Sequence, residues 1–151
     1  MTKIRITKEF RFEMAHALLG YDGLCSNIHG HSYQLSVTII GKPSDKFPDT
    51  KNGMVIDFGE LKKIVKKEII EKFDHSLILN AATPGKDEIT SLPLFQKIIF
   101  LPYQPTCENM LSDFAQRISK CLPGKIKLHS LRLRETNDSF AEWCAEDNER
   151  N

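Results

Sequence analysis

Two stretches near the N-terminus alternate apolar and polar residues with a period of two, and each carries histidine in phase with its apolar set. In the first, Ile4, Ile6, Phe10, Phe12 and Met14 fall on even positions, and His16 keeps that parity. In the second, Tyr33, Leu35, Val37 and Ile39 fall on odd positions, and His29 and His31 keep theirs. Side chains on a strand alternate between faces, so residues two apart share one. If both segments are strands of one sheet, all three imidazoles project to the buried face. Three neutral imidazoles with a fourth position left open form the ligand set of a catalytic zinc. A His-x-His pair alone is a weak signal, and a lone histidine on an apolar face is more often a satisfied core residue. The third histidine in matching phase carries the metal assignment. Gly30, between two of the ligands, lacks a Cβ and so permits close backbone approach.

The rest of the chain sets these segments in a frame. Residues 3–16 and 30–41 read as strands, joined by a loop over 17–28 marked by Gly20, Asp22, Gly23 and Asn27. Asp57 reads as the N-cap of a helix running to Phe73, with Leu61, Val65, Ile69 and Phe73 recurring every four residues and Ile64 beside them. Its lysines form a solvated face. Prolines interrupt residues 81–104, within which Ile98–Leu101 reads as a short strand. A second helix begins near Thr106, buries Leu111, Phe114, Ala115, Ile118 and Leu122, and stops at Pro123-Gly124. Residues 125–135 read as another strand. Leu131, Leu133 and Glu135 share a face there, while Ile126 and Leu128 have the opposite parity, which predicts a bulge near His129 or Ser130. The polar tail from Asp138 to Asn151 is expected to fray, apart from Trp143. The order of elements predicts a single α+β domain over residues 1–151, an antiparallel sheet with helices on one face.

Composition narrows the function classes. With 151 residues, 40% of them hydrophobic and 27% charged, the chain suits a soluble globular domain with a real core. Lys plus Arg number 21 against 20 Asp plus Glu, so no global field recruits nucleic acid or an anionic membrane. No stretch has the pattern of a signal peptide or a membrane span. Cys25, Cys107, Cys121 and Cys144 form no Cys-x-x-Cys pair, so reduced thiols and a cytoplasmic location are expected.

Six further residues are candidates for chemistry. Cys25 lies four residues before His29 and admits three readings: a fourth zinc ligand, a small buried hydrophobe, or a proton-moving thiol. Asp74-His75 follows the first helix and reads as an acid–base pair or as ordinary helix-end chemistry. Thr106 and Glu108 open the second helix, where capping explains both and ligand binding is the alternative. Glu135 points inward at a strand end, and a buried carboxylate needs a partner or a ligand. A planar heterocycle with adjacent N–H and amino groups would satisfy it through two hydrogen bonds.

Taken together, six pieces resemble the 6-pyruvoyltetrahydropterin synthase / 6-carboxytetrahydropterin synthase family. They are Phe12-Glu-Met-Ala-His16, the run from Cys25 to His29-Gly30-His31, Val55-Ile56-Asp57-Phe58, Asp74-His75, Pro105-Thr106-Cys107-Glu108-Asn109 and Arg134-Glu135-Thr136. The resemblance implies the tunnelling fold, a four-stranded antiparallel sheet with two helices on one face. It implies trimers stacked as a hexamer, with active sites between subunits. It matches His16, His29 and His31 to zinc ligands, Cys25 to a proton-transferring thiol, and Asp74 and His75 to the pair that polarises it. It matches Glu135 to the pterin anchor, with Thr106 and Glu108 lining the pocket. Three residues separate Cys25 from His29, the spacing of the bacterial carboxy-forming branch of queuosine biosynthesis rather than of the animal pyruvoyl-forming enzymes. The implied reaction converts 7,8-dihydroneopterin triphosphate to 6-carboxy-5,6,7,8-tetrahydropterin, acetaldehyde and triphosphate. Two alternatives stand beside it: a pyruvoyl-forming synthase, and a non-catalytic domain in which Cys25 closes a structural zinc site. The segment from Asn80 to Pro105 is longer than in compact members of the family.

Overall fold

In the computed structural model, which describes residues 2–148, the two alternating segments form adjacent strands, β1 (Ile4–His16) and β2 (His29–Gly41). They pair antiparallel along their whole length, from Ile4 opposite Gly41 to His16 opposite His29. This register puts Phe10 opposite Leu35, Phe12 opposite Tyr33 and Met14 opposite His31, all on one face. The opposite face is polar. There Ser32 Oγ donates to Glu13 at 2.7 Å, Gln34 donates to Glu9 at 3.1 Å, and the Thr7 and Thr38 hydroxyls meet at 2.8 Å.

The first helix begins at α1 (Phe58–Val65), and the Asp57 carboxylate caps it by accepting from the Gly59 and Glu60 amides. The helix then passes through a π-helical turn over Lys66–Ile70 and ends in one α-turn, α2 (Glu71–Phe73). It therefore reaches Phe73 as its apolar spacing requires, with one widened turn on the way. The chain continues through β3 (Ser76–Asn80), a short α3 (Lys86–Ser91) and β4 (Ile98–Leu101). The second long helix is α4 (Cys107–Cys121), capped by the Thr106 hydroxyl, which accepts from the Asn109 amide. Then come β5 (Lys127–Arg134), β6 (Phe140–Cys144) and a terminal turn, α5 (Ala145–Asn148).

Six strands make one sheet in the order β4-β3-β1-β2-β5-β6. This corrects the four-stranded antiparallel expectation: the sheet is larger and mixed. The ladders from β1 through β2 and β5 to β6 are antiparallel, while β3 joins β1 in parallel over Met14–His16 and β4 joins β3 in parallel. The physical reason lies in the connections. A whole helix separates β2 from β3, and α3 lies between β3 and β4, so each newcomer can return in the same direction as its neighbour. The apolar run Leu77-Ile78-Leu79 is buried throughout, the pattern of a strand covered on both faces. A second correction concerns the tail. Residues 140–144 are a strand paired with β5, with the Arg132 and Arg134 guanidinium groups 4.5 and 4.9 Å from the Phe140 ring centroid. Residues 149–151 lie outside the described residues. The bulge is where parity required it: Thr38 faces Ser130 and Ile39 faces Leu128, leaving His129 unpaired.

One hydrophobic cluster joins the sheet to both long helices. Phe10, Phe12, Leu35, Val37, Leu131 and Leu133 meet Leu61, Val65 and Ile69 from the first helix and Met110, Phe114 and Ile118 from α4. Phe114 is fully buried, with ring centroids 4.9 Å from Phe73 and 6.5 Å from Phe12. Truncating such a ring to alanine typically costs about 3–5 kcal/mol. The cluster reaches Met14 and Tyr33, which stand two residues from His16 and His31 on β1 and β2. Among the described residues no helix is long and apolar enough to cross a membrane.

Candidate metal centre and its surroundings

The β1–β2 register brings the three histidines together as their parity predicted. His16 and His29 are cross-strand partners, and His31 lies two residues further along the same face. Ring centroids are 4.6 Å apart for His16 and His29, 5.2 Å for His16 and His31, and 5.0 Å for His29 and His31. One nitrogen from each ring lies within 4.8 Å of the others, close enough to hold a single metal ion. Gly30 faces Ala15 across the ladder, where an added Cβ would stand 3.3 Å from the Met14 carbonyl oxygen. A side chain at this position would crowd that carbonyl by a few tenths of an ångström.

Hydrogen bonding fixes which nitrogens face inward. His16 Nδ1 donates to the Pro105 carbonyl at 2.7 Å, and His29 Nδ1 donates to the Asn27 carbonyl at 2.8 Å. In each ring this leaves Nε2 with a free lone pair, the arrangement found behind metal-bound histidines. His16 is only 3% exposed, and among the described residues its Nε2 is the one buried side-chain polar atom without a hydrogen-bond partner. Burial pushes the His16 imidazole below its ordinary value, against the opposing effect of the Pro105 hydrogen bond. Burial also lowers His31, against the nearby Glu135 carboxylate. Both rings are therefore neutral near pH 7, as metal ligation requires. The donor set fits a divalent cation that accepts imidazole.

Cys25 is not part of this trio. It sits half-buried in a single 3-10 turn, Leu24–Ser26, between β1 and β2, where its carbonyl accepts from the Leu18 amide at 2.9 Å. It forms no disulfide. Cys107 contrasts with it. That thiol is buried in the core, donates to the Leu133 carbonyl at 3.2 Å, and is pushed up to about 12 by burial and by Glu135, so it stays protonated and inert.

Asp74 and His75 are clipped onto β1 at Glu13. The Asp74 carboxylate accepts from the Glu13 amide at 2.9 Å, and the His75 amide donates to the Glu13 carbonyl at 2.7 Å. His75 Nδ1 lies 3.0 Å from Asp74 Oδ1. Burial pushes the Asp74 carboxyl up, but the Glu13 amide and His75 outweigh it and hold the group below its ordinary value. His75 has φ 56°, in the left-handed region, and its side chain is 77% exposed. Backbone strain of this kind collects at functional sites. His75 and His31 line the same cavity of about 870 Å³, together with Glu13, Ser32, Leu94 and Lys97. The long segment between Asn80 and Pro105 thus supplies one wall of it.

Glu135 follows β5 directly and borders a second cavity of about 370 Å³, with Arg11, Tyr33, Arg134 and Thr136. Glu13 and Ser32 border both cavities. Thr106 and Glu108 border neither: Thr106 caps α4 and Glu108 occupies its exposed first turn. Tyr33 is the residue that reading the sequence overlooked. It is fully buried, and its hydroxyl donates to Glu135 Oε1 at 2.9 Å. Burial and Glu135 raise the phenol far above its ordinary value, so it remains a donor. The available signal was its phase, two residues after His31, combined with a polar tip among apolar positions.

Comparison with known proteins agrees with this geometry. A family profile described as 6-pyruvoyl tetrahydropterin synthase matches residues 5–146. A Haemophilus influenzae protein named 6-carboxy-5,6,7,8-tetrahydropterin synthase is 39% identical over 142 residues, covering 92% of this chain and 97% of its own. A Rickettsia felis protein of the same name is 35% identical, covering 92% of this chain and 99% of its own. The solved structure of Caenorhabditis elegans 6-pyruvoyl tetrahydropterin synthase superposes with a TM-score of 0.67, covering 95% of this chain and 96% of that one. At 21% identity that likeness speaks for the fold. With a profile spanning nearly all of the chain and relatives of this identity along its length, the chain belongs to the 6-pyruvoyl tetrahydropterin synthase family.

Proposed function

We propose that this chain is a zinc-dependent 6-carboxy-5,6,7,8-tetrahydropterin synthase. Its substrates are 7,8-dihydroneopterin triphosphate and one water, and its products are 6-carboxy-5,6,7,8-tetrahydropterin, acetaldehyde and triphosphate, a step of queuosine biosynthesis. The observation that carries this reading is the convergence of three histidines, one with a buried and unpartnered Nε2, inside a chain whose relatives bear that name. The exclusion of Cys25 from the trio favours an open site over a closed structural one. The spacing of Cys25 and His29 favours the carboxy-forming branch over the pyruvoyl-forming one.

His16, His29 and His31 would hold the zinc, which would supply Lewis-acid polarisation of the substrate's side-chain oxygens and so make neighbouring C–H protons more acidic. Cys25 takes and returns those protons, with His75 and Asp74 tuning the thiol. Glu135 accepts from the pterin ring N–H and amino group and fixes the reacting carbons beside metal and thiol. Thr106 and Glu108 complete the pterin pocket. The family resemblance supports sites formed between subunits of a hexamer of two stacked trimers, where residues of different chains meet. The chain works as one cytoplasmic domain over residues 1–151, without nucleic-acid or membrane partners.

The test is direct. Zinc-loaded protein is incubated with 7,8-dihydroneopterin triphosphate and the products are identified by mass. The carboxylated tetrahydropterin with acetaldehyde is expected. A 6-pyruvoyl product would overturn the branch assignment, and unconverted substrate would overturn the reading.

A further inference from the structure

We propose that Tyr33 is a positioning residue: it holds the Glu135 carboxylate at a set distance from the three histidines and so fixes the gap between metal and pterin ring. The inference rests on the anchoring role proposed above for Glu135.

Tyr33 follows His31 by two residues on β2 and shares its face, a step of about 6.8 Å along an antiparallel strand. Its ring is locked on several sides. It stacks on Phe12 with centroids 5.2 Å apart and planes 11° apart. It meets the His31 ring edge-on at 5.5 Å and the His16 ring at 6.2 Å. The phenol is 0% exposed, so its one donor must find a partner inside, and that partner is Glu135 Oε1 at 2.9 Å.

Glu135 has little other support. It lies one residue past the end of β5, where its amide donates to the Ser139 carbonyl at 3.1 Å. A glutamate side chain has high rotamer entropy, and fixing it costs free energy when a ligand binds. Tyr33 fixes it in advance, using one of roughly four lone-pair sites and leaving the others for a ligand. The strand that carries two of the metal ligands therefore also carries the support of the anchor. One rigid segment of β2 sets the distance between the two halves of the site.

A core tyrosine whose hydroxyl needed any acceptor would look similar, and a double-mutant cycle separates the two cases. The parent, Tyr33→Phe, Glu135→Gln and the double variant are loaded with zinc and titrated calorimetrically with 7,8-dihydroneopterin, beside thermal melts and metal analysis. Tyr33→Phe should keep its zinc and weaken binding about 3- to 10-fold, part of what a hydrogen bond to a charged group is worth. In the Glu135→Gln background the same change should alter affinity less than about twofold, the signature of coupling. In turnover of the triphosphate, Tyr33→Phe should raise KM and lower kcat together, because a shifted ring leaves the reacting carbons misplaced. A merely structural role would lower the active fraction and leave KM unchanged. Unchanged affinity in Tyr33→Phe, with a clear loss in Glu135→Gln, would overturn the proposal and leave the anchor standing. Equal losses from Tyr33→Phe in both backgrounds would overturn it as well. Full affinity in Glu135→Gln would remove the anchor and the proposal with it.

Discussion

Replacing His16 by leucine separates a ligand histidine from a core histidine. His16 Nε2 is buried without a partner, and an unsatisfied buried polar atom costs about 1–3 kcal/mol. Leucine removes that cost, since it brings no polar atom. It also removes the 2.7 Å bond to the Pro105 carbonyl and leaves that carbonyl in a buried setting, at a similar cost of about 1–3 kcal/mol. The two nearly cancel, so metal-free His16→Leu should melt within about 3 °C of metal-free parent. Zinc changes the comparison. At one hundred times its Kd a ligand stabilises the native state by about 2.7 kcal/mol. For a domain of this size that is about 5–10 °C in the parent and nothing in the variant. The assay is differential scanning calorimetry of chelator-treated protein, with and without added zinc. A metal-free variant melting more than about 6 °C below the parent would mark His16 as a structural core residue, and so would equal stabilisation of both proteins by zinc.

Other perturbations read other parts of the site. Cys25→Ala should keep zinc and fold but lose about 10²–10⁴-fold in turnover, as general acid–base groups contribute; loss of metal by elemental analysis would instead return Cys25 to the ligand set. His75→Gly should relieve the left-handed backbone by about 1 kcal/mol and leave the melting point unchanged or higher, while turnover falls; a lower melting point with full activity would contradict the assignment. Asp74 has a native pKa below its unfolded value, so the unfolded state binds its proton first. The stability it contributes is present above the unfolded value of about 3.8 and is lost as pH falls through the native value. Asp74→Asn should therefore flatten the acid limb of the stability curve between pH 2 and 5 measured by urea titration, and an unchanged limb would refute the clip at Glu13.

The clustering of the three histidines was legible because a period of two is rigid. Once His16, His29 and His31 match the phase of buried neighbours on paired strands, their faces are settled by the pleat. The helices were legible for the same reason at their own period, and the bulge at His129 followed from a parity conflict within one strand. The missed elements lack such internal evidence. β6 is short and carries Glu142 beside Phe140 and Trp143, and what makes it a strand is its pairing with β5 and the arginines that flank Phe140. β3 is five residues long, and its parallel pairing with β1 depends on where a helix returns the chain. The partners that orient the site are backbone groups: the Pro105, Asn27 and Glu13 carbonyls and the Glu13 amide. No residue type advertises them. Tyr33 passed for an ordinary core aromatic because its role depends on Glu135, 102 residues away.

The central claim is that three imidazoles hold the metal and leave one position open for substrate oxygens. X-ray absorption at the zinc edge of the loaded protein measures it most directly. The account predicts three nitrogens at about 2.0–2.1 Å, one or more light oxygen neighbours, and no sulfur. A sulfur shell at about 2.3 Å would place Cys25 on the metal, close the site, and contradict the account.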